Sequence, residues 1–420
     1  MSLEGRMQAI WDFAVVGGGA SGMAAAIAAA EMGDHVILFE KAPALGRKIA
    51  ASGNGRCNIM NNGKPTYYGD SHFAGEVFRF FPQSSLSAFW EHEGLLLSET
   101  EEGRVYPATF HASTVLDILK TNLRLLDVEI RLQAIVTKIR NENGIFLIVF
   151  PQETIMAKRV LIAAGGAAYP KLGGTDSGYR LLKSFGHSVT PQSPALCPLR
   201  TDSRSISGLS GIRVRCGISL FSPEGMKLHR THGELLFTEY GISGICAMQC
   251  ARFIRTEACY AELDFAEPVF PDNQAIFLKL TDRRSRFSAF PPEYLLQGIF
   301  LPKLAYAVLK QAGIAVRGRT AGDISDDEIL EIIRRMRGYR LNILGDMGLE
   351  EAQVTAGGAA CREFDPSTME SRIIRNLHAS GEVLDVDGDC GGYNLMFAFA
   401  TGILAGRNGR SGKELNNEKR

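Results

Sequence analysis

The sequence predicts an α/β fold with a doubly wound parallel sheet. This prediction rests on the order of three segments near the start of the chain. Residues 13–16 form an apolar run typical of a buried parallel strand. A glycine loop at 17–22 with G-x-G-x-x-G spacing follows and leads into an alanine-rich helix over residues 20–32. A second apolar run at 36–39 completes a β-α-β unit. This order indicates a dinucleotide-binding site.

The glycines of this loop have separate roles. Gly17 permits a tight turn, Gly19 leaves room for a pyrophosphate against the backbone, and Gly22 lets the helix pack close to the strand. The helix starts at Ala20 and Ser21. We expect the backbone N–H groups of that first turn to point at the phosphates.

The second strand ends in Glu40, which lies 18 residues beyond Gly22, where a ribose-binding acid is expected. Lys41 follows, and then residues 46–58, which are rich in glycine, asparagine and cations. Such a segment is either a solvated loop or a loop wrapped around an anionic ligand, and its place directly after Glu40 favours the ligand. We select as cofactor-binding candidates Lys41, Arg47, Lys48, Ser52, Gly53, Asn54, Arg56 and Asn58.

A membrane helix is the alternative for residues 13–30, an uncharged stretch of 18 residues. That length reaches the threshold for a membrane span. However, four glycines and many alanines make the stretch only mildly apolar, and Asp12 and Glu31 bound it closely. We therefore expect no membrane segment.

The composition is that of a globular protein with two or three domains, since 420 residues exceed one ordinary core. The net charge is zero, so nothing favours a nucleic-acid partner. The eight cysteines form no C-x-x-C pair, and the start of the chain has no signal-peptide pattern. We expect free thiols and a cytoplasmic location.

The nucleotide-binding domain continues through helices and a small β excursion. Residues 76–97 have a helical period that Pro82 interrupts, and 114–126 form another helix. Residues 128–132, 135–139 and 145–150 read as strands, with a hairpin turn at 141–144. Val136, in this excursion, is a further cofactor-binding candidate.

Two later strands are predicted to end at the ligand-binding crevice, which lies at the carboxyl ends of the strands in a doubly wound sheet. The buried strand at 159–166 ends in small residues, and its candidates are Ala164 and Gly165. Residues 377–382 form a strand with a polar end, and a glycine-rich loop then leads into a helix from 395 to 405. The candidates there are Gly381, Glu382, Asp387, Gly392, Tyr393 and Asn394. Tyr393 and Asn394 either contact the cofactor or begin the helix, and we prefer cofactor contact.

The composition changes near residue 191. We predict a discontinuous nucleotide domain (8–191 and 355–412), an inserted β domain (192–266 and 340–354, returning through 349–354) and a helical domain (267–339). A capping box at 325–328 opens one of its helices. The tail from about 409 is polar, and we expect it to be frayed.

The glycine loop alone fits either NAD or FAD, and three features favour FAD. They are the β excursion and the two strand ends near 165 and 381, which suit a cofactor that crosses the whole crevice. The C-terminal helix also directs its positive end toward the flavin pyrimidine ring, which stabilises the anionic reduced flavin.

Several motifs carry a family resemblance: residues 17–26, 46–58 (GRKIAASGNGRCN), 163–179, 233–244, 354–359 and 391–402. With them, nearly the whole chain resembles the bacterial YhiN/BaiN-like flavoproteins, also called aminoacetone-oxidase-like FAD-binding enzymes. The resemblance implies a Rossmann-like, glutathione-reductase-type FAD domain, an inserted β-barrel-like domain and a helical domain. It also implies bound FAD. Family members are linked to nicotinamide-dependent reduction of steroid-like enones and to oxidation of small amines.

Some features depart from the family or limit the chemistry. Ile245 and Cys246 follow Gly244, where the family tends to have proline, so the start of that helix can differ. No second complete G-x-G-x-x-G unit is present, so we expect a nicotinamide to bind only transiently. Cys57 and Cys390 are interpreted as packed thiols. His229 and His232 lack further ligands, so we expect no metal.

Together these observations and the resemblance predict hydride transfer at flavin N5. NADH, NADPH or a substrate is the candidate donor, and an enone-like or other small organic molecule, or oxygen, is the acceptor. One alternative is an oxygen-dependent oxidase of a small amine. Another is a flavin-dependent RNA-modifying or redox-sensing protein, against which the neutral charge weighs. No side chain is assigned as catalytic acid or base, and the oligomeric state stays open.

Overall fold

The computed structural model describes residues 10–254 and 259–407. The chain forms two compact units: the first contains the residues up to 193 and from 353 onward, and the second contains residues 194–352. We call them the nucleotide unit and the barrel unit. The finer division into three domains stays a prediction, and the predicted frayed tail lies outside the described residues.

The amino-terminal part of the nucleotide unit alternates strands and helices. Its elements are β1 (Ile10–Val16), α1 (Ala20–Glu31), β2 (Val36–Phe39), α2 (Arg47–Ala51), β3 (Met60–Asn61), β4 (Tyr67–Gly69), α3 (Ser71–Phe80), α4 (Gln83–His92), β5 (Leu97–Glu99), β6 (Arg104–Pro107), α5 (Ala112–Leu125), β7 (Glu129–Arg131), β8 (Lys138–Glu142), β9 (Ile145–Val149), β10 (Thr154–Ile162) and α6 (Ser177–Ser184).

The barrel unit and the returning chain follow. After β11 (Ser193–Ala195) come β12 (Leu199–Thr201), β13 (Arg213–Phe221), β14 (Lys227–Phe237), β15 (Gly241–Ser243), α7 (Ile245–Gln249), β16 (Cys259–Asp264), α8 (Asn273–Arg286), α9 (Pro302–Gln311), α10 (Asp326–Arg337) and β17 (Tyr339–Asp346). The nucleotide unit resumes with β18 (Val354–Ala356), β19 (Leu377–Ala379), β20 (Val386–Gly388) and α11 (Tyr393–Arg407).

A seven-stranded sheet forms the centre of the nucleotide unit. Its order is β7-β2-β1-β10-β9-β8, and β19 also pairs with β10. The pairs among β7, β2, β1, β10 and β19 are parallel, whereas β9 and β8 are antiparallel additions. This sheet confirms the predicted α/β Rossmann-type fold, with the β excursion attached to one of its strands.

Helices α1 and α11 pack against each other at backbone distance. A Cβ added at Gly402 would lie 2.2 Å from the carbonyl oxygen of Ser21, and one at Gly406 would lie 2.4 Å from that of Ala25. Small residues on both helices permit this approach. The uncharged stretch near the start of the chain is therefore a strand, loop and helix of the core. Within residues 10–254 and 259–407, no helix has both the length and the apolar composition of a membrane span.

The barrel unit is built on six antiparallel strands that close in the order β12-β15-β14-β13-β16-β17. Inward side chains of β13 and β14, such as Ile218, Leu220, Leu235 and Phe237, are fully buried. This closed barrel confirms the inserted β-barrel-like fold. The capping box at the start of α10 is present, with Ser325 and Glu328 bonded reciprocally.

Some element boundaries differ from the predictions. Helix α4 ends at His92, and the strand predicted over 135–139 begins only at Lys138. The chain returns to the barrel through β17, not through residues 349–354, and the burial of alternate residues in β17 marks it as a strand. The pairing of β4 with β20 joins three-residue strands, which are too short for a periodic signal.

Candidate cofactor-binding site

Two glycines of the loop lie so close to other backbone atoms that a side chain would not fit, whereas a third faces open space. A Cβ at Gly17 would lie 2.3 Å from the carbonyl oxygen of Ala163, and one at Gly22 would lie 1.9 Å from that of Gly17. A Cβ at Gly19 would meet nothing within 4 Å. Packing therefore explains the first two glycines. The open space at Gly19 fits a bound diphosphate.

The first turn of α1 carries no side-chain cap. Gly19 is its N-cap residue, and no acidic side chain lies in that turn. The N–H groups of such a turn and the helix dipole together favour an anion. The start of α1 therefore fits the phosphate-binding role predicted for Ala20 and Ser21.

Glu40 is fixed at the carboxyl end of β2 by two backbone groups. Its Oε2 accepts a hydrogen bond from the N–H of Gly18 at 2.7 Å, and its Oε1 accepts one from Ala42 at 2.7 Å. Carboxylate oxygens can accept more than one hydrogen bond, so a ribose hydroxyl can still bind. The loop containing Val136 lies alongside, because the N–H of Ala134 donates to the carbonyl oxygen of Glu40. Burial lowers the pKa of the neighbouring Lys41.

The segment 46–58 folds as a short helix, α2, followed by a tight left-handed turn. Gly53, Asn54, Gly55 and Cys57 all have positive φ, between 55° and 83°. Such a backbone favours glycine and asparagine, which explains the composition of this segment. The hydroxyl of Ser52 donates to the carbonyl oxygen of Ile49, so it ends α2.

Two cations of α2 tie this segment to distant parts of the chain. Arg47 donates to the carbonyl oxygen of Lys171 at 2.8 Å. The Nζ atom of Lys48 lies 2.9 Å from Oε2 of Glu382. The structure thereby brings together the candidates from residues 46–58, the loop after β10 and the segment after β19.

Glu382 is the centre of a polar network. Its Oε1 accepts hydrogen bonds from the N–H and the hydroxyl of Thr355, at 2.9 and 3.0 Å. The Thr355 hydroxyl in turn accepts one from the N–H of Ala168. A Cβ at Gly166 would lie 2.4 Å from that hydroxyl, so this position requires glycine. Thr355 is absent from the predicted site residues, and the motif at 354–359 was the available signal.

Gly381 and Asn58 connect the late segment to the earlier ones. A Cβ at Gly381, where φ is +73°, would lie 2.7 Å from Oγ of Ser21. A Cβ at Gly392 would lie 2.8 Å from Oδ1 of Asn58. That oxygen is buried and has no hydrogen-bond partner among the described residues. A buried orphaned acceptor beside the start of α11 fits an N–H donor of a bound cofactor.

The side chains at the start of α11 hold the loop before it. Asn394 accepts a hydrogen bond from the N–H of Gly388 and donates one to its carbonyl oxygen, both at 2.8 Å. The hydroxyl of Tyr393 donates to the carbonyl oxygen of Lys64. Asp387 is buried in β20, 2 % exposed. These bonds leave the backbone at the helix start, including Gly392, for contact with a ligand, and the cofactor contacts of all these residues stay predictions.

The remaining candidates have less defined surroundings. Asn54 and Arg56 are exposed and line a surface cavity of about 560 Å³ with Gly55, Phe110 and His111. Ala164 and Gly165 follow β10, where Gly165 has a φ of +74°.

The thiols of Cys57 and Cys390 have raised pKa values. Burial raises the pKa of the Cys57 thiol to about 11 and also raises that of Cys390. Neither is a thiolate near neutral pH, which is consistent with packed thiols. All eight cysteines are unpaired, and all lie within the described residues.

Residues 11–408 match the sequence profile of the HI0933-like protein Rossmann domain. The chain belongs to this family. A 3-dehydro-bile acid delta(4,6)-reductase from Clostridium scindens is 34% identical over 402 residues, which cover 94% of this chain and 97% of that protein. A ribosomal RNA dihydrouridine synthase from Haemophilus influenzae is 27% identical over 400 residues, or 92% and 95% of the two chains.

Among solved structures, a 3-ketosteroid-delta4-(5alpha)-dehydrogenase from Rhodococcus jostii RHA1 matches with a TM-score of 0.48 and 13% identity, over 97% of this chain and 98% of that one.

Membership of the HI0933-like family confirms the resemblance to the YhiN/BaiN-like flavoproteins. It also confirms FAD as the cofactor and the chain as an FAD-dependent oxidoreductase. The assignment of individual residues to FAD stays a prediction.

Proposed function

We propose that this FAD-dependent enzyme reduces a carbon–carbon double bond conjugated to a carbonyl group in a small organic molecule, with NADH or NADPH as the electron donor. The observation that carries the proposal is the 34% identity, over 94% of this chain, to a protein named as a bile acid reductase. A steroid-like enone is thus the substrate class with most support.

The names of the two relatives denote the same type of reaction, a reduction. The first denotes reduction of a 3-dehydro bile acid, and the second denotes formation of dihydrouridine. A dihydrouridine is a uridine whose ring double bond, conjugated to a carbonyl, has taken up two hydrogens. Hydride addition to a conjugated double bond therefore agrees with both names, whereas amine oxidation agrees with neither.

We assign the binding of the cofactor to four parts of the nucleotide unit. The start of α1 binds the diphosphate, and Glu40 accepts hydrogen bonds from ribose hydroxyls. Asn58 accepts a hydrogen bond from the flavin ring. Lys48 and Glu382 hold together the two chain segments on which these groups depend.

Bound FAD would supply hydride transfer between the nicotinamide and the β-carbon of the enone. The backbone N–H groups at the start of α11 stabilise negative charge near them, because that end of the helix dipole is positive. A proton must also reach the α-carbon of the substrate. Burial raises the pKa of the Cys57 and Cys390 thiols, which makes both weak acids, so we assign neither as the proton donor.

The test is anaerobic reduction of the purified yellow protein by NADH or NADPH, followed by addition of a 3-oxo-Δ4 steroid. We expect rapid bleaching of the flavin, its reoxidation by the steroid, and a saturated ketone as the product in mass spectrometry. Bleaching only by a small amine would replace the proposal with an oxidase. Absence of reoxidation by any enone would overturn it.

The second candidate function is reduction of uridine in RNA. Its support is the ribosomal RNA dihydrouridine synthase that aligns over 92% of this chain. The net charge of zero weighs against it, because RNA binding draws on Lys and Arg contacts to phosphates. The discriminating measurement is reoxidation of the reduced protein by ribosomal RNA, with dihydrouridine detected after digestion. The absence of a nucleic-acid partner and the cytoplasmic location stay predictions.

A further inference from the structure

Three side chains of metal-binding type meet at the carboxyl ends of two helices in the nucleotide unit. Glu31 is the last residue of α1, His92 is the last residue of α4, and Glu93 follows it. Each offers one ligand atom, and these atoms all lie within 4.8 Å of one another. Nε2 of His92 and Oε1 of Glu31 are 3.0 Å apart.

The carboxylate of Glu93 provides an independent indication of a missing ligand. The residue is 7 % exposed, and its Oε1 has no hydrogen-bond partner among the described residues. A buried carboxylate oxygen without a partner is costly.

The local field also favours a cation. Helices α1 and α4 both end at this cluster, and the carboxyl end of a helix carries partial negative charge. Glu31 and Glu93 supply two carboxyl groups, and both must be deprotonated to bind a metal ion. The Arg407 guanidinium acts on Glu93 in the opposite direction to the helix ends.

We propose that Glu31, His92 and Glu93 form a binding site for one divalent transition-metal ion, of which Zn²⁺ is the best match. Imidazole nitrogen and carboxylate oxygen bind Zn²⁺ at about 2.0–2.2 Å, so tetrahedral ligands lie about 3.4 Å apart. The ligand atoms of His92 and Glu31 are 3.0 Å apart and no pair in the cluster is more than 4.8 Å apart, so the cluster brackets this spacing. The His92 side chain is 73% exposed, so solvent reaches the site and can supply the fourth ligand.

The proposed ion is structural and lies apart from the redox chemistry. Helix α1 has 12 residues and is therefore about 18 Å long. The glycine loop lies at its amino end, whereas Glu31 lies at its carboxyl end. The ion ties the ends of α1 and α4 together, so it raises thermal stability without changing hydride transfer.

The experiment is isothermal titration of the full-length, FAD-loaded protein with ZnCl₂, together with thermal unfolding at each zinc concentration. We expect one ion per chain and a rise in Tm of a few degrees at saturation. His92→Asn and Glu93→Gln should each weaken binding at least about tenfold, a loss that even outer-shell changes cause. Glu93→Gln keeps side-chain size, and the His92 side chain is 73% exposed, so neither change should unfold the protein.

His35→Asn is the matched control. His35 lies 3.3 Å from Asp12 and is 85% exposed, so it forms a histidine–carboxylate pair outside this cluster. Zinc binding should be unchanged in this variant. The proposal is overturned if the wild type binds no zinc. It is equally overturned if His92→Asn and Glu93→Gln bind zinc as the wild type does, since the three side chains then only share a proton.

Discussion

The ammonium group of Lys48 lies 2.9 Å from Oε2 of Glu382, although 334 residues separate them in the sequence. Lys48 belongs to the segment after the first β-α-β unit, and Glu382 follows the strand that returns after the barrel unit. Their pairing fastens the two halves of the nucleotide unit at the candidate FAD site. The pair is partly shielded, with 30% and 20% of the two side chains exposed, so solvent screens it only in part.

Replacement of Glu382 tests how much its hydrogen bonds and its ion pair contribute to the stability of the protein. Glu382→Ala removes the acceptor of both Thr355 donors, and Thr355 is 1 % exposed. We expect a loss of about 2–4 kcal/mol in the free energy of unfolding, because buried donors without acceptors are costly. Glu382→Gln keeps an acceptor for Thr355 and should lose less. Urea unfolding measures both, and equal stability of Glu382→Ala and the wild type would contradict the network.

Substitutions at two glycines of the loop allow an effect on the free energy of unfolding to be distinguished from an effect on FAD binding. In Gly22→Ala the new Cβ lies 1.9 Å from a carbonyl oxygen, so we expect a loss of about 2–3 kcal/mol in unfolding free energy. In Gly19→Ala it meets no protein atom, and φ at this residue is −85°. The apo-protein should therefore keep its stability to within about 0.5 kcal/mol.

The same Gly19→Ala variant should bind FAD at least about tenfold more weakly, the equivalent of one strong hydrogen bond. Flavin absorbance after purification and titration of the apo-protein with FAD measure the change. A variant that retains its yellow colour and its FAD affinity would show that the diphosphate lies elsewhere.

Local patterns predicted the β-α-β unit that forms the amino-terminal half of the candidate site. The strand, the glycine loop and Glu40 lie close in sequence, so their spacing alone places them together in a β-α-β unit. The positive φ values after α2 likewise follow from the glycines and asparagines of residues 53–58.

The rest of the site depends on contacts between distant segments. Thr355 joins the site because its hydroxyl fits between Ala168 and Glu382, and no spacing encodes that arrangement. Strand β17 follows α10 after one residue, so its period of two is hard to separate from the helical period before it. The side chain of Asn394 bonds to Gly388, which no local pattern indicates, and its predicted contact with the cofactor stays a prediction.

Two buried histidines predict a loss of stability in mild acid. Burial lowers the pKa of His378 to about 3 and also lowers that of His187. A histidine in the unfolded chain titrates near pH 6.5, so below that pH the unfolded state binds more protons than the folded one. Stability is therefore complete above about pH 6.5 and falls as the pH decreases.

For His378 the loss between pH 6.5 and 5 is about 2 kcal/mol, at about 1.4 kcal/mol per pH unit. Urea unfolding at a series of pH values measures the slope. His378→Leu, which keeps an apolar contact with Phe13, should reduce the slope by about one proton. An unchanged slope in this variant would assign the acid sensitivity to other groups.

Asn58 and Asn394 give a matched pair of asparagines with opposite expected effects. Oδ1 of Asn58 has no partner among the described residues, so Asn58→Ala should change the unfolding free energy of the apo-protein little. It should weaken FAD binding and alter the flavin absorbance spectrum, because the proposed acceptor is lost.

Asn394→Ala breaks two hydrogen bonds of 2.8 Å to Gly388, so it should cost about 1–2 kcal/mol of stability. FAD titration and urea unfolding of both variants decide the assignment. If Asn58→Ala binds FAD as tightly as the wild type, the buried oxygen beside Gly392 does not face the cofactor. If Asn394→Ala is fully stable, the start of α11 is held by its backbone alone.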